Sequence, residues 1–386
     1  MIRYLINLKI FNLFLLVFLS SLFIRLICNN LFDFSFKDAN EYKRIADVLA
    51  ISFNFDSFLA MPLYPVSLAF SRFVFKNFYV IDFFISSAFP IIIYLLSYEI
   101  FQNKKAAIIS SIISIFYPMN IFYAISGLTE NLYVFFLFIS FLFFYRRNYF
   151  FGIIFMILTI YTRPIIIYAV PFLVISFFYA NNENIKFSIK KFFFLLLIFI
   201  LSFAPWWIMN FKKYENFVLT NLGGGLALYI GNNEKNITGG NDMGVDADFS
   251  NYNISDKYLR DKLLKRDALI FIKNNPDKFI KLSIKKFMRF WNFFPNHEDF
   301  KNKTFFKFVI FSSYLPILIL SLFYLFINLN FNFLRQSLPL LLFIAYTTII
   351  HIISIASLRY RYPIEPILII LCGQYISLVF AKFSKN

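Results

Sequence analysis

The sequence predicts a mainly α, polytopic integral membrane protein of about ten transmembrane helices with one long extracytoplasmic loop region. Three observations lead there. Apolar residues make up 60% of the 386 and charged residues only 15%, against roughly 45–50% and about 25% in soluble domains. A soluble core stops growing near ~250–300 residues, so this excess needs lipid as its solvent. Apolar runs of about 20 residues, the length that crosses a bilayer, recur along the chain. Short basic tracts (Lys104-Lys105, Arg146-Arg147, Lys190-Lys191, Arg335, and Lys382 with Lys385) flank these runs as the cytoplasmic ends of membrane helices do.

The expected spans are 4–24, 79–101, 106–125, 128–145, 149–162, 163–180, 192–210, 305–327, 337–357 and 362–381. The run 149–162 is short and needs a tilt or a thin local bilayer. The first run is read as a retained span rather than a signal peptide, because Arg25 follows it directly with no small-x-small cleavage site. An even span count puts both termini on one side. The basic tracts make that side the cytoplasm of a plasma (inner) membrane.

The chain divides into helices 1–7 (1–210) with a catalytic first outer loop (25–78), an extracytoplasmic loop region (211–304), and helices 8–10 (305–386). Loops longer than about 60 residues are exempt from the charge rule, so the many Lys and Arg of 211–304 do not contradict it. Within the outer segments, 38–50 reads as a helix with Asp38, Glu41, Tyr42, Ile45 and Leu49 on one face. The segment 61–75, broken by Pro62 and Pro65, reads as a helix at the interface. The Gly-rich stretch 222–233 reads as irregular, and 256–291 as helix.

Several function classes fall away. The net charge of +17 suggests nucleic acid, but the cations sit beside apolar runs, so anionic lipid headgroups are the expected partner and nucleic acid is not. Two cysteines, Cys28 and Cys372, with no CxxC pair, exclude a disulfide framework and a thiolate zinc site. No P-loop or dinucleotide fingerprint occurs.

Ionisable groups at membrane depth are costly and are therefore candidates for function. At the expected outer level stand Asp38, Glu41, Glu130, Arg163, Arg359 and Arg361, with Glu365 one turn further on. Each also has a plain reading: Asp38 as a helix cap, Glu41 as a solvated face residue, Glu130 as an interfacial charge. Arg163 could snorkel to headgroups, and Arg359-Tyr360-Arg361 could anchor the interface. As a set, carboxylates and guanidinium groups at one level suit sugar transfer from a lipid phosphate. Arginines neutralise the leaving phosphate, and a carboxylate takes the proton of the acceptor hydroxyl. Negative charge favours an oxocarbenium-like transition state, and a single displacement inverts the anomeric carbon.

At these residues the chain resembles the GT-C superfamily of membrane glycosyltransferases, in the protein O-mannosyltransferase and aminoarabinose transferase-like branch (glycosyltransferase family 39/83-like). The resemblance runs through 38–46, MPLYPVSLA (61–69), TENLYVFF (129–136), TRPIIIYAVP (162–171), APWWIMN (204–210), GGGLALYIGNN (223–233) and RYRYPIEPILII (359–370). It implies a polyprenyl-phosphate sugar donor and a hydroxyl acceptor on a lipid, glycan or protein. It places Asp38 and Glu130 in catalysis and Arg163 and Arg359 at the donor phosphate, and beside them Glu41 is a further catalytic candidate and Arg361 a further phosphate-binding one. It puts Tyr42, Tyr64 and Tyr360 around a cavity between the outer loop and the bundle. Several members carry an Asp-Glu pair in the first loop, whereas here Asp38 is followed by Ala39 and Glu41 comes three residues on. Some members bind a divalent metal, but His297 and His351 are too far apart in sequence to argue for one. The alternatives are a lipid-linked glycan flippase or secondary transporter, which predicts charges near mid-membrane, and a polymerase or ligase using a diphosphate-linked donor.

Overall fold

The computed structural model describes residues 2–32, 34, 36–52, 60–294 and 304–383. His297 lies outside them. The described residues form helices and 3₁₀ turns with no strand. In order these are α1 (Ile2–Asn7), α2 (Ile10–Leu31), α3 (Lys37–Ser52), α4 (Leu63–Phe75), α5 (Val80–Phe101) and α6 (Lys104–Phe116). Next come α7 (Pro118–Ile125), α8 (Glu130–Tyr145), α9 (Tyr149–Thr162), a 3₁₀ turn (Pro164–Ala169) leading into α10 (Val170–Ala180), and α11 (Ile185–Tyr214). The chain continues with α12 (Gly224–Gly231), α13 (Lys257–Asn274), α14 (Pro276–Phe290), α15 (Thr304–Ile327), α16 (Phe331–Ile353), α17 (Leu358–Arg361) and α18 (Glu365–Phe383).

Each expected span coincides with a helix or helix pair, but length separates them. Among the described residues six helical stretches are long and apolar enough to cross a membrane: α2, α5, α11, α15, α16 and Leu358–Phe383. A seventh is α6 with α7, bent by 49° where Pro118 removes a helical donor. The stretches Glu130–Tyr145, Tyr149–Thr162 and Pro164–Ala180 are apolar but shorter. The protein is therefore multi-pass.

The bundle is organised around Leu358–Phe383, 67% of whose apolar window is buried, while α11 at 17% faces outward. The exposed surface of α11 is largely Phe, Leu and Ile, as lipid-facing surface must be. Gly373 lets α18 lie against α6, since a Cβ there would sit 2.1 Å from the Ser110 hydroxyl. The first span differs from expectation. It starts at Ile10 and continues past Arg25, which is fully buried and donates to the Ser86 hydroxyl and the Ser21 carbonyl. A cation that finds such acceptors on α2 and α5 need not end the helix.

The two ends of the bundle differ in charge. At one end Arg146 pairs with Glu99 (3.2 Å) and Arg147 donates to the Asn181 carbonyl (3.0 Å). At that same end Asn103 donates to Gln374 and Ser377, Gln336 donates to the Ile100 carbonyl, and Lys104 reaches the Ile6 carbonyl. This basic end thus collects Lys104-Lys105, Arg146-Arg147, Lys190-Lys191, Arg335 and Lys382, while Lys385 lies outside the described residues. Glu130, Arg163 and Arg359 lie at the other ends of their helices.

The region between α11 and α15 departs from two expectations. The Gly-rich stretch is partly helical, because the Asp261 carboxylate of α13 accepts from the backbone N–H groups of Gly225 (3.2 Å) and Leu226 (3.0 Å). These are helix-start donors that the local sequence cannot satisfy. The expected 256–291 helix is split into α13 and α14, since Pro276 forces Asn275 out of helical geometry (φ −130°, ψ 60°).

This region is pinned to the end of α16. Lys286 is fully buried and donates to Asn232 Oδ1 (2.9 Å) and the Ile353 carbonyl (3.3 Å), while Asn232 donates to the same carbonyl (2.9 Å). A Cβ on Gly231 would lie 1.8 Å from the Ser354 carbonyl oxygen, so only glycine permits the approach. Desolvation lowers the Lys286 ammonium from 10.5 to about 7. The unfolded chain then binds one more proton than the native state between those values, so native stability rises with pH from about 7 to about 10. Unfolding midpoints measured across that range should climb in the native protein and climb less in Lys286→Met.

Candidate active site

Four of the residues singled out in the sequence meet at the end of the bundle away from the basic tracts. Glu130 is the first residue of α8 and is fully buried. A helix N-terminus favours a carboxylate there. The turn delivering it needs Gly127, whose φ is +67° and whose Cβ would strike the Tyr79 ring. Arg163 leaves α9 because Pro164 follows, which holds it extended (φ −146°, ψ 121°) and swings its side chain off the helix. Arg359 sits in the single turn α17, set off from α16 by a break at Ser354 to Ser357.

Glu130 Oε1 accepts from both Arg163 and Arg359, and Arg359 also donates to Glu130 Oε2 at 3.3 Å. Arg359 Nη1 continues to Asp38 Oδ2 at 2.5 Å. The result is a chain Asp38–Arg359–Glu130–Arg163 drawn from the first turn of α3, α17, α8 and the end of α9. Burial is graded along it. Side-chain exposure is 54% at Asp38, 26% at Arg359, 19% at Arg163 and 0% at Glu130. Water or a ligand can therefore reach Asp38 and the edges of both guanidinium groups, but not Glu130.

Aromatic rings frame the chain. The Arg163 guanidinium lies 5.5 Å from the Tyr360 ring centroid, and Tyr360 stacks on His351 at 4.4 Å and 8°. Half-buried Tyr42 packs edge-on against Tyr64 at 5.3 Å. His351, which stacks between Tyr360 and Phe290 and bonds the Ile355 carbonyl through Nδ1 (3.0 Å), drew no role from the sequence. Nor did Asp82, whose carboxylate accepts from Tyr64 (3.1 Å) and Asn131 (3.3 Å) and so ties α4 to α5 and α8. A carboxylate eighteen residues after Tyr64 carries no local signal for that contact.

Three other expected site residues stand apart. Glu41 is exposed and bound by Arg44 (2.7 and 2.8 Å), which holds its carboxyl below the usual range. The buried stripe of α3 is Ala39, Tyr42, Ile45 and Ala46, which rotates Glu41 off the inner face. Arg361 is 0% exposed and turned the other way from Arg359, as two residues on a helix must be. It pairs with Glu365 (2.8 Å), donates to the Phe290 and Asn292 carbonyls, and covers the Tyr314 ring at 3.7 Å. Glu365 also accepts from Tyr117 (2.8 Å). Tyr64 is fully buried, with its hydroxyl engaged by Asp82.

Among the described residues no three His, Cys, Asp or Glu side chains are grouped to hold a metal ion. Both carboxylates of the chain already accept from guanidinium groups. This donor set does not fit a divalent cation.

No family model matches the chain, and no curated protein matches it. Among solved structures it matches the archaeal oligosaccharyltransferase AglB from Archaeoglobus fulgidus, in complex with an inhibitory peptide and a dolichol-phosphate. The TM-score is 0.57 at 14% identity, over 95% of this chain and 50% of that one. The chain thus spans about half the length of this neighbour. At that identity the likeness is one of fold alone.

Proposed function

We propose that the protein is an inverting membrane glycosyltransferase that moves a sugar from a polyprenyl-phosphate carrier to a hydroxyl on a lipid, glycan or protein. The observation that carries this reading is the chain Asp38–Arg359–Glu130–Arg163, with a solvent-reachable carboxylate at one end and two partly exposed guanidinium groups beside it. The fold shared with an oligosaccharyltransferase supports it. By the positive-inside rule the basic end is cytoplasmic, with both termini there, and the chain of charges opens on the extracytoplasmic side.

Each member has a distinct part. Glu130 is buried and held by two guanidinium groups, so it positions Arg163 and Arg359 rather than exchanging protons. The two arginines take the donor phosphate and stabilise its charge as it leaves. When the phosphate claims Arg359, Asp38 is released from that guanidinium and becomes available to the acceptor. The acceptor O–H then gives its proton to Asp38 as its oxygen bonds the anomeric carbon. The bond from that carbon to the phosphate oxygen breaks, and polyprenyl phosphate departs with the electron pair. Arg361 acts at one remove: its pairing with Glu365 and the Phe290 carbonyl fixes the turn that aims Arg359.

Purified protein given a polyprenyl-monophosphate sugar and a hydroxyl acceptor in detergent should form the glycoside. The same sugar on a diphosphate carrier should react about tenfold more slowly, a difference of about 1.4 kcal/mol, since two arginines placed around one phosphate leave the second phosphate without a partner. Faster transfer from the diphosphate donor would refute the monophosphate reading. Movement of intact donor across a vesicle membrane without bond cleavage would refute transfer itself.

A further inference from the structure

We infer that the basic end of the bundle holds a binding site for one anionic phospholipid, built from Arg147, Arg146 and Lys191 and remote from the candidate active site. A cavity of about 490 Å³ opens there, lined by Arg146, Arg147, Tyr149, Lys191, Phe194 and Leu195 among others. It lies where α8 ends, α9 begins and α11 passes. Cations and apolar rings therefore share one opening, as a lipid headgroup joined to its acyl chains requires.

The charges specify the ligand. Arg146 is bound by Glu99 at 3.2 Å and Lys191 by Glu183 at 2.6 Å, while Glu183 also accepts from Tyr149 (2.9 Å). Arg147 donates to the Asn181 carbonyl at 3.0 Å and, among the described residues, forms no ion pair with a carboxylate. Three lining cations against these two carboxylates leave a surplus of one positive charge, and Arg147 is the lining cation with no carboxylate within ion-pair distance among the described residues. The first turn of α9 adds the partial positive charge of a helix N-terminus. A singly charged phosphodiester matches that surplus. A zwitterionic lipid brings its own cation into the same space, and a dianionic free phosphate exceeds the surplus.

The cavity also has a track for the chains. From Lys190 and Lys191 along α11, Phe194, Leu197 and Leu201 repeat at helical spacing and are 54%, 53% and 63% exposed. They run from the basic rim along the lipid-facing side of the bundle. A headgroup at Arg147 leaves its acyl chains lying on this stripe.

Delipidated full-length protein in detergent, mixed with phosphatidylglycerol or phosphatidylcholine of the same acyl chains, tests this by native mass spectrometry. Phosphatidylglycerol should be retained more than phosphatidylcholine, and Arg147→Asn should lower its retention about fivefold, the factor expected for one cation at an anionic lipid surface. Asparagine suits this position because Arg147 has φ +60°, which Asn tolerates. Should that variant not fold, Phe194→Ala, on the exposed stripe, is expected to reduce retention of the same lipid. Lys382→Gln, a cation at the same end outside the cavity, should leave retention unchanged. Equal retention of the two lipids, full retention in Arg147→Asn or Phe194→Ala, an equal loss in Lys382→Gln, or equal thermal stabilisation by inorganic phosphate would each overturn the site.

Discussion

Asp38→Asn is expected to lower the turnover of sugar transfer by about 10²–10⁴-fold, the usual contribution of a positioned general base. The substitution keeps the size and the hydrogen-bonding shape of the side chain but removes its capacity to take a proton. Because Asp38 is 54% exposed and, among the described residues, its ion pair is with Arg359, the protein should fold and melt as before. The donor KM should stay level or fall, since Arg359 loses a competitor for its guanidinium. That split, a loss in kcat without a rise in donor KM, separates a base from a phosphate ligand. Unchanged turnover in the purified variant would remove Asp38 from the mechanism.

Glu130→Gln should produce the opposite pattern. Glu130 is the buried anion shared by Arg163 and Arg359, and removing one partner of a buried ion pair costs about 3–5 kcal/mol because the remaining charge is left uncompensated. Two guanidinium groups at 19% and 26% exposure would then face each other across a neutral amide. They should separate, losing the geometry that receives a phosphate. The expected result is a lower melting temperature together with a raised donor KM, and Glu130→Asp should recover part of both. A Glu130→Gln protein that melts normally and binds donor normally would show that the arginines are held by something else.

The effects differ because burial differs along a single chain of charges. At its exposed end a carboxylate can exchange with ligand and solvent, so its loss is read in turnover. At its buried end a carboxylate only organises its neighbours, so its loss is read in stability and binding. Glu41 shows why position along the sequence does not decide this. It is three residues from Asp38 on the same helix, yet the apolar stripe of α3 turns it toward Arg44 and water.

Much of this was legible in the residues alone. A stretch such as 79–101 or 305–327 reads as a membrane span, because it is apolar over the length that crosses a bilayer. Glu130 and Arg163 stood out in the sequence at the expected outer level, one where an apolar run begins and the other at the turn between two runs. The clustering of Lys and Arg tracts at one end followed from alternating direction of successive helices.

Other features lay beyond any local rule. The helix at Gly224–Gly231 exists because Asp261, from another helix, caps it. Arg25 stays inside α2 because Ser86 of α5 accepts from it. The partition of the two arginines of α17 depends on which neighbours each one meets: Arg359 finds Glu130 and Asp38, while Arg361 finds Glu365 and Tyr314. Hydrophobic content and periodicity act through the chain's immediate neighbours, so the sequence by itself determined a lipid-solvated helical bundle with basic tracts at one end and a set of carboxylates and arginines at the other. Pairing of charges depends on distances between groups up to 321 residues apart, and only the packing of the helices, which sets those distances and the access of water, decided which carboxylate water can reach and which is buried between two arginines.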